Sequence, residues 1–176
     1  MFDGAGIYAI YYVGDFPAYD AISTANKQDF TAPIYVGKAD PKGGRQGGSW
    51  DAPSGTALRS RLQKHKTSFT QATNLDPEHF RCRVLVLEDA WIRLAERFMI
   101  YWYRPLWNVA VDGFGNNQPG AGRDKQRLSA WDTLHPGRTL ARNLPPSDET
   151  AAEVEARVRQ FLATPIEDRP ATDLEE

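Results

Sequence analysis

The sequence predicts an α+β fold, a small mixed or antiparallel sheet flanked by helices, then a loop-rich C-terminal extension and a final helix. Three observations carry this. Two β-branched and aromatic runs near the N-terminus are joined by a stretch too long for a tight hairpin. A third apolar run lies between two segments of helical periodicity, and Gly, Pro and Asn crowd the residues beyond 111. With 176 residues, 41% of them hydrophobic and 25% charged, the chain suits one globular domain with a real core, which excludes collagenous, coiled-coil and wholly disordered classes.

Gly6-Ile7-Tyr8-Ala9-Ile10-Tyr11-Tyr12-Val13 is rich in strand formers and ends at Gly14-Asp15, so it reads as a strand. Pro33-Ile34-Tyr35-Val36-Gly37 reads as a second, and Gly14, Pro17, Asp20 and Asn26 between them mark an irregular loop. Asp40 to Gly55, with Gly43-Gly44 and Gly47-Gly48, reads as a surface loop. Ser54 or Thr56 can cap a helix to about Lys66, with Leu58 and Leu62 on its apolar side and Arg61 and His65 on one face. Phe80 to Leu87 alternates and then turns continuously apolar, as a central strand would, with Cys82 in the core beside Phe80, Val84 and Val86. Asp89 caps the strongest helix, Trp91 to Tyr103, which stops before Pro105. Trp107 to Val111 reads as extended, Asp112 to Gln126 as a loop and Trp131 to Arg138 as a turn. Pro145-Pro146-Ser147 is a linker, Ala151 to Leu162 an amphipathic helix, and the residues from Pro165 on a frayed end. The segments group as a core (1–111), an extension (112–146) and a helix with an acidic tail (147–176).

The formal net charge of −2 hides an asymmetry. From Ser147 onward there are nine acidic and three basic residues, leaving 18 Lys and Arg against 14 Asp and Glu in the preceding 146. Between Lys38 and Arg142 the ratio is 17 to 10, a balance suited to a polyanionic partner. One cysteine excludes an intrachain disulfide, and His65, His79 and His135 have no zinc-ligand spacing. No phosphate-binding glycine motif follows a strand, so no nucleotide cofactor is expected, and no G-x-S-x-G elbow occurs. With no membrane-length apolar run and no leader pattern, the expected location is the cytoplasm, of a prokaryote, and no membrane partner is expected.

Gly6-Ile7-Tyr8 followed by Tyr35-Val36-Gly37 on two adjacent predicted strands resembles the GIY-YIG nuclease family. The rest of that family's pattern follows in order: Arg61 and His65 on the next helix, Glu96 on the one after, and Asn108 shortly after Pro105. The resemblance covers about residues 5 to 110; Val36 in place of the second Ile changes no chemistry. What it implies is hydrolysis of phosphodiester bonds in double-stranded DNA by Tyr8, Tyr35, Arg61, His65, Glu96 and Asn108. Such chemistry needs an activated water, a cation at the developing charge and a stabilised leaving oxygen. In this reading Tyr8 is the general base, Tyr35 and His65 polarise it or shuttle its proton, and Arg61 clamps the scissile phosphate. Glu96 lies in a stripe with Ile92, Met99, Ile100 and Tyr103, where a charge is costly unless it is paired or binds metal, so it is the candidate ligand of one Mg²⁺. Asn108 fixes either Glu96 or a backbone turn through its amide.

The short chain leaves specificity to its own loops, which points to the restriction branch. The Gly43 to Gly48 loop and the segment Gln126 to Arg138 look like the small type II group whose prototype cuts CCGCGG. Arg45, Arg123, Lys125, Arg127 and Arg138, with Lys38 near the site, are the candidate DNA contacts, since Arg reads guanine in the major groove. One core supplies one phosphate site, so cutting both strands of a palindrome calls for a homodimer on DNA, with the extension or the last helix as the expected contact. The alternative is a catalytically inactive DNA-binding module on the same scaffold.

Overall fold

The computed structural model describes residues 3–41, 55–116 and 126–170. Strand β1 (Gly6–Tyr12) is followed by a 3-10 turn (Pro17–Tyr19), helix α1 (Asp20–Asn26), strand β2 (Tyr35–Ala39) and helix α2 (Ala57–Gln71). Strand β3 (Phe80–Val86), helix α3 (Asp89–Tyr103) and short helices α4 (Leu106–Val109) and α5 (Ala130–Leu134) come next, then α6 (Ala151–Ala163). The fold is α+β, with one antiparallel sheet in the order β2-β1-β3.

β1 is buried along its whole length because both its neighbours are strands and both its faces are covered. Tyr8, Ile10 and Tyr12 enter the main core under α2, α4, α5 and α6, whereas Ile7, Ala9 and Tyr11 pack beneath α3. The expectation that Phe80 to Leu87 forms the central strand is therefore corrected: β3 is an edge, with only Phe80 and Val84 half-buried. Cys82, opposite Ile10 on that edge, is exposed rather than in the core. The other edge is covered, since the Trp107 N–H donates to the Ile34 carbonyl at 2.9 Å.

Several local readings also change. The loop after β1 contains α1, held by Asn26, whose amide bonds the carbonyls of Tyr12 and Ala32 and the Ala32 N–H. Trp107 to Val111 is not extended; Leu106 and Trp107 are buried in the core on one helical turn that starts at Pro105, and that burial outweighs strand propensity. The presumed turn at Trp131 begins as α5, capped by the Ser129 hydroxyl, which accepts the Asp132 N–H at 3.2 Å. Glu88, not Asp89, occupies the cap position of α3. Residues 165–170 are tied down, because Arg104 Nη1 donates to the carbonyls of Ile166, Glu167 and Arg169. One apolar cluster runs from Tyr8 through Phe114 and Trp131 to Phe161, so all three sequence segments share a core.

Candidate active site

The antiparallel register sets Tyr8 opposite Gly37 and Ile10 opposite Tyr35, which places both tyrosines on the α2 face of the sheet. The glycines of the two tripeptides are explained by close approach. A Cβ on Gly37 would stand 2.5 Å from the Tyr8 hydroxyl and 2.8 Å from the Tyr35 ring. One on Gly6, with φ +152°, would collide with the Leu85 carbonyl oxygen across the β1–β3 pair. Into this space α2 delivers His65, whose Nε2 lies 2.6 Å from the Tyr8 hydroxyl, and Arg61, one turn earlier, whose Nε donates to the same oxygen at 3.4 Å. Tyr35 completes the group, its ring centroid 6.2 Å from that of Tyr8 and 5.5 Å from that of His65.

Burial decides the protonation states here. It pushes the Tyr8 phenol well above its ordinary range, and the neighbouring Tyr35 adds to this against the pull of Arg61. Tyr35 is raised by burial too, again opposed by Arg61. His65 moves the other way, down to about 3, because burial and then the Arg61 charge oppose a second cation. At neutral pH the pair is thus a neutral phenol and a neutral imidazole in hydrogen-bond contact.

A segment outside the family's named residues forms the rest of the wall. Phe114 stacks on His65 at 4.5 Å, and the Gly115 carbonyl accepts from Arg61 Nη2 at 2.8 Å. Arg138 holds this segment from behind, donating to the carbonyls of Gly113 and Phe114 at 2.9 and 3.1 Å. Its guanidinium also makes two 2.7 Å bonds to the Asp132 carboxylate and lies over the Trp131 ring. Arg138, expected to read DNA, is 2% exposed and fully engaged, so that expectation is corrected: it is an internal brace.

Asn108 fixes backbone, not Glu96. Its Oδ1 accepts the Val36 N–H and its Nδ2 donates to the Val36 carbonyl, both at 2.8 Å. Acting as a substitute strand on the open side of β2, it holds the residue between Tyr35 and Gly37. Glu96 projects from α3 on the opposite face, alongside Lys38 at 3.9 Å, and Lys38 also meets Asp40 at 3.5 Å. Burial raises the Glu96 carboxyl above its usual range, Lys38 pulls it down, and its charge is felt at Tyr8 and Tyr35. Among the described residues no three His, Cys, Asp or Glu side chains come together as a metal cage. The half-buried Glu96 carboxylate, with Lys38 at 3.9 Å and the charges of Asp40, Arg61 and Arg93 also felt there, fits a Mg²⁺ whose other ligands would be water and substrate phosphate.

Beside Arg61 and His65 opens a cleft of about 500 Å³, lined also by Lys64, Gln71, Asn116 and Thr139. Sequence reasoning passed over Lys64, although its position three residues after Arg61 places it on the same side of α2. Phe114 and Gly115 offered no signal beyond an aromatic flanked by glycines. Of the other expected DNA contacts, Arg127 is exposed and paired with Asp148 at 2.6 Å. Arg45, Arg123 and Lys125 lie outside the described residues. Among the described residues no helix is long and apolar enough to cross a membrane.

No curated protein matches the chain. A family profile does: that of the Eco29kI GIY-YIG domain, over residues 1–162, a span that takes in the two tripeptides, Arg61, His65, Glu96, Asn108 and the Arg138 brace. The chain therefore belongs to the Eco29kI GIY-YIG family of restriction endonucleases.

Proposed function

We propose that the protein is a type II restriction endonuclease that hydrolyses both strands of double-stranded DNA at a short palindrome in a Mg²⁺-dependent reaction, acting as a homodimer, with CCGCGG the first site to test. The observation that carries this is the 2.6 Å contact between the Tyr8 hydroxyl and the neutral Nε2 of His65, with Arg61 on the same oxygen. A phenol that has lost its proton is a competent base, and His65 is where that proton goes. As water attacks the scissile phosphorus, its proton passes to the Tyr8 oxygen while the Tyr8 proton moves to Nε2. The DNA phosphate brings negative charge to Arg61 and His65, which raises the basicity of Nε2 when substrate is bound. Arg61 then faces the non-bridging oxygens, positioned by the Gly115 carbonyl. Glu96 would hold the Mg²⁺, and the ion would supply neutralisation of the charge that develops on the phosphate and its leaving oxygen. Lys64, in the cleft beside this group, suits a neighbouring phosphate of the bound strand.

Incubating plasmid with purified protein and Mg²⁺, then sequencing the new ends, tests the reading directly. Tyr8→Phe removes one oxygen and leaves the ring packing, and should slow single-turnover cleavage by roughly 10² to 10⁴. Wild-type protein that binds DNA without cutting it would instead mark the scaffold as an inactive DNA-binding module.

A further inference from the structure

We infer that the cleft between α2 and the extension carries the backbone of the bound DNA strand onward from the active site, and that Gln71 is its far anchor. Arg61, Lys64, Ser68 and Gln71 all line this cleft, and their spacing of three, four and three residues puts them on one side of α2. Between Arg61 and Gln71 the helix rises about 15 Å. That wall outreaches a single phosphate, since one strand advances only ~3.4 Å per nucleotide along a duplex. Asn116 and Thr139, from the extension, stand on the other side of the cleft.

Charge and donor chemistry name the occupant. Among the described residues no carboxylate lines the cleft, and none pairs with Lys64, which is exposed. Two cations and several neutral polar groups without an acid fit a phosphodiester chain, not a cationic or apolar ligand. Gln71 is oriented for the same task. The Thr139 N–H donates to its Oε1 at 3.0 Å, and because a backbone N–H can only donate, that bond settles which end of the amide is oxygen. The Nε2 hydrogens are left to donate, and among the described residues nothing accepts them. A second bond, from the Thr73 N–H to the Pro136 carbonyl at 2.9 Å, seats the same segment on the end of α2, so the anchor is in place before DNA arrives. Phosphate contacts fix a strand without reading its sequence, so the cleft adds affinity for any DNA and steadies the strand across Arg61. The inference rests on the DNA-cleaving reading above and extends it to residues outside the family pattern.

Fluorescence anisotropy in EDTA tests it with two labelled duplexes, one containing CCGCGG and one of scrambled sequence. Gln71→Glu keeps an oxygen for the Thr139 N–H and turns the other end of the side chain from donor into charged acceptor. Binding to both duplexes should weaken at least tenfold, with an unchanged far-UV circular dichroism spectrum. Should that variant not fold, Lys64→Gln, a change at an exposed position, carries the test: it should lower the slope of log K against log salt by about 0.9, one phosphate contact, on both duplexes. Undiminished binding by a folded Gln71→Glu, or an unchanged slope in Lys64→Gln, would overturn the track. Losses confined to the CCGCGG duplex would overturn it too, by making the cleft a reader of bases. Because binding is read without cleavage, a protein that shows these losses and never cuts plasmid would sink the nuclease reading alone. One that cuts plasmid while both variants bind normally would sink this inference alone.

Discussion

Acid should destabilise this protein steeply, and two buried histidines set the slope. His65 and His135 are 3% and 0% exposed, and burial holds each down to about 3. His135 is further engaged by Tyr19 at 2.6 Å and Asn74 at 2.9 Å. The folded pKa is depressed below the unfolded 6.5, so the unfolded chain takes up protons first as pH falls. Stability is complete above about pH 7 and is lost progressively between 6.5 and 3. At pH 5 each histidine accounts for about 2 kcal/mol, since 1.5 pH units below 6.5 at ~1.4 kcal/mol per unit is the work of keeping it neutral. Any folded value below about 4 leads to the same figure, so the two together remove about 4 kcal/mol between pH 8 and pH 5, a large share of a typical 5–15 kcal/mol. Glu96, raised by burial, acts in the opposite direction, so the histidines must be isolated by substitution. Urea unfolding at pH 8, 6.5 and 5 measures the loss, and His135→Gln should halve it. A stability that is flat to within 1 kcal/mol down to pH 5 would refute the account of a His65 kept neutral by burial.

Two further outcomes follow from the site. Glu96→Gln keeps shape but removes the charge that would hold Mg²⁺, so plasmid cutting should vanish while DNA binding, followed by gel shift, survives; cutting at the normal rate would end the metal assignment. Arg138→Met strands the Asp132 carboxylate in the core and should cost about 3–5 kcal/mol in urea unfolding. Arg138→Met/Asp132→Leu should regain most of that stability, yet cleave slowly, because nothing then holds the Gly113 and Phe114 carbonyls.

The tyrosines and α2 were legible because their placement follows from short-range rules. A period of two puts Tyr8 and Tyr35 on one face of a paired sheet, and a period of 3.6 puts Arg61 and His65 on one side of α2. Whatever depends on contacts across long stretches of chain was not legible. Arg138 has the sequence context of a solvated loop cation, and only the fold reveals that Asp132 and two carbonyls surround it. The status of β3 as an edge was hidden for a related reason: its apolar run looks central, but Leu85 and Val86 remain open to solvent. In α3 the apolar residues span two sides of the helix, and periodicity alone does not reveal that only one of them meets the sheet.

The extension beyond residue 111 packs against the candidate active site, through Phe114 on His65 and the Gly115 carbonyl on Arg61. Burial lowers the His65 pKa to about 3, and Phe114, stacked on the ring, is part of that burial. Phe114 stays in place because its carbonyl and that of Gly113 are gripped by Arg138, whose charge is tolerable only beside Asp132. Asp132 is in turn fixed by the Ser129 hydroxyl at 2.7 Å, in the cap of α5. The surroundings of His65 are thereby set through a chain of contacts ending some 60 to 70 residues downstream. A piece of the protein cut at residue 111 would keep all six residues of the family pattern and lose Phe114 and Gly115, which cover His65 and bond Arg61.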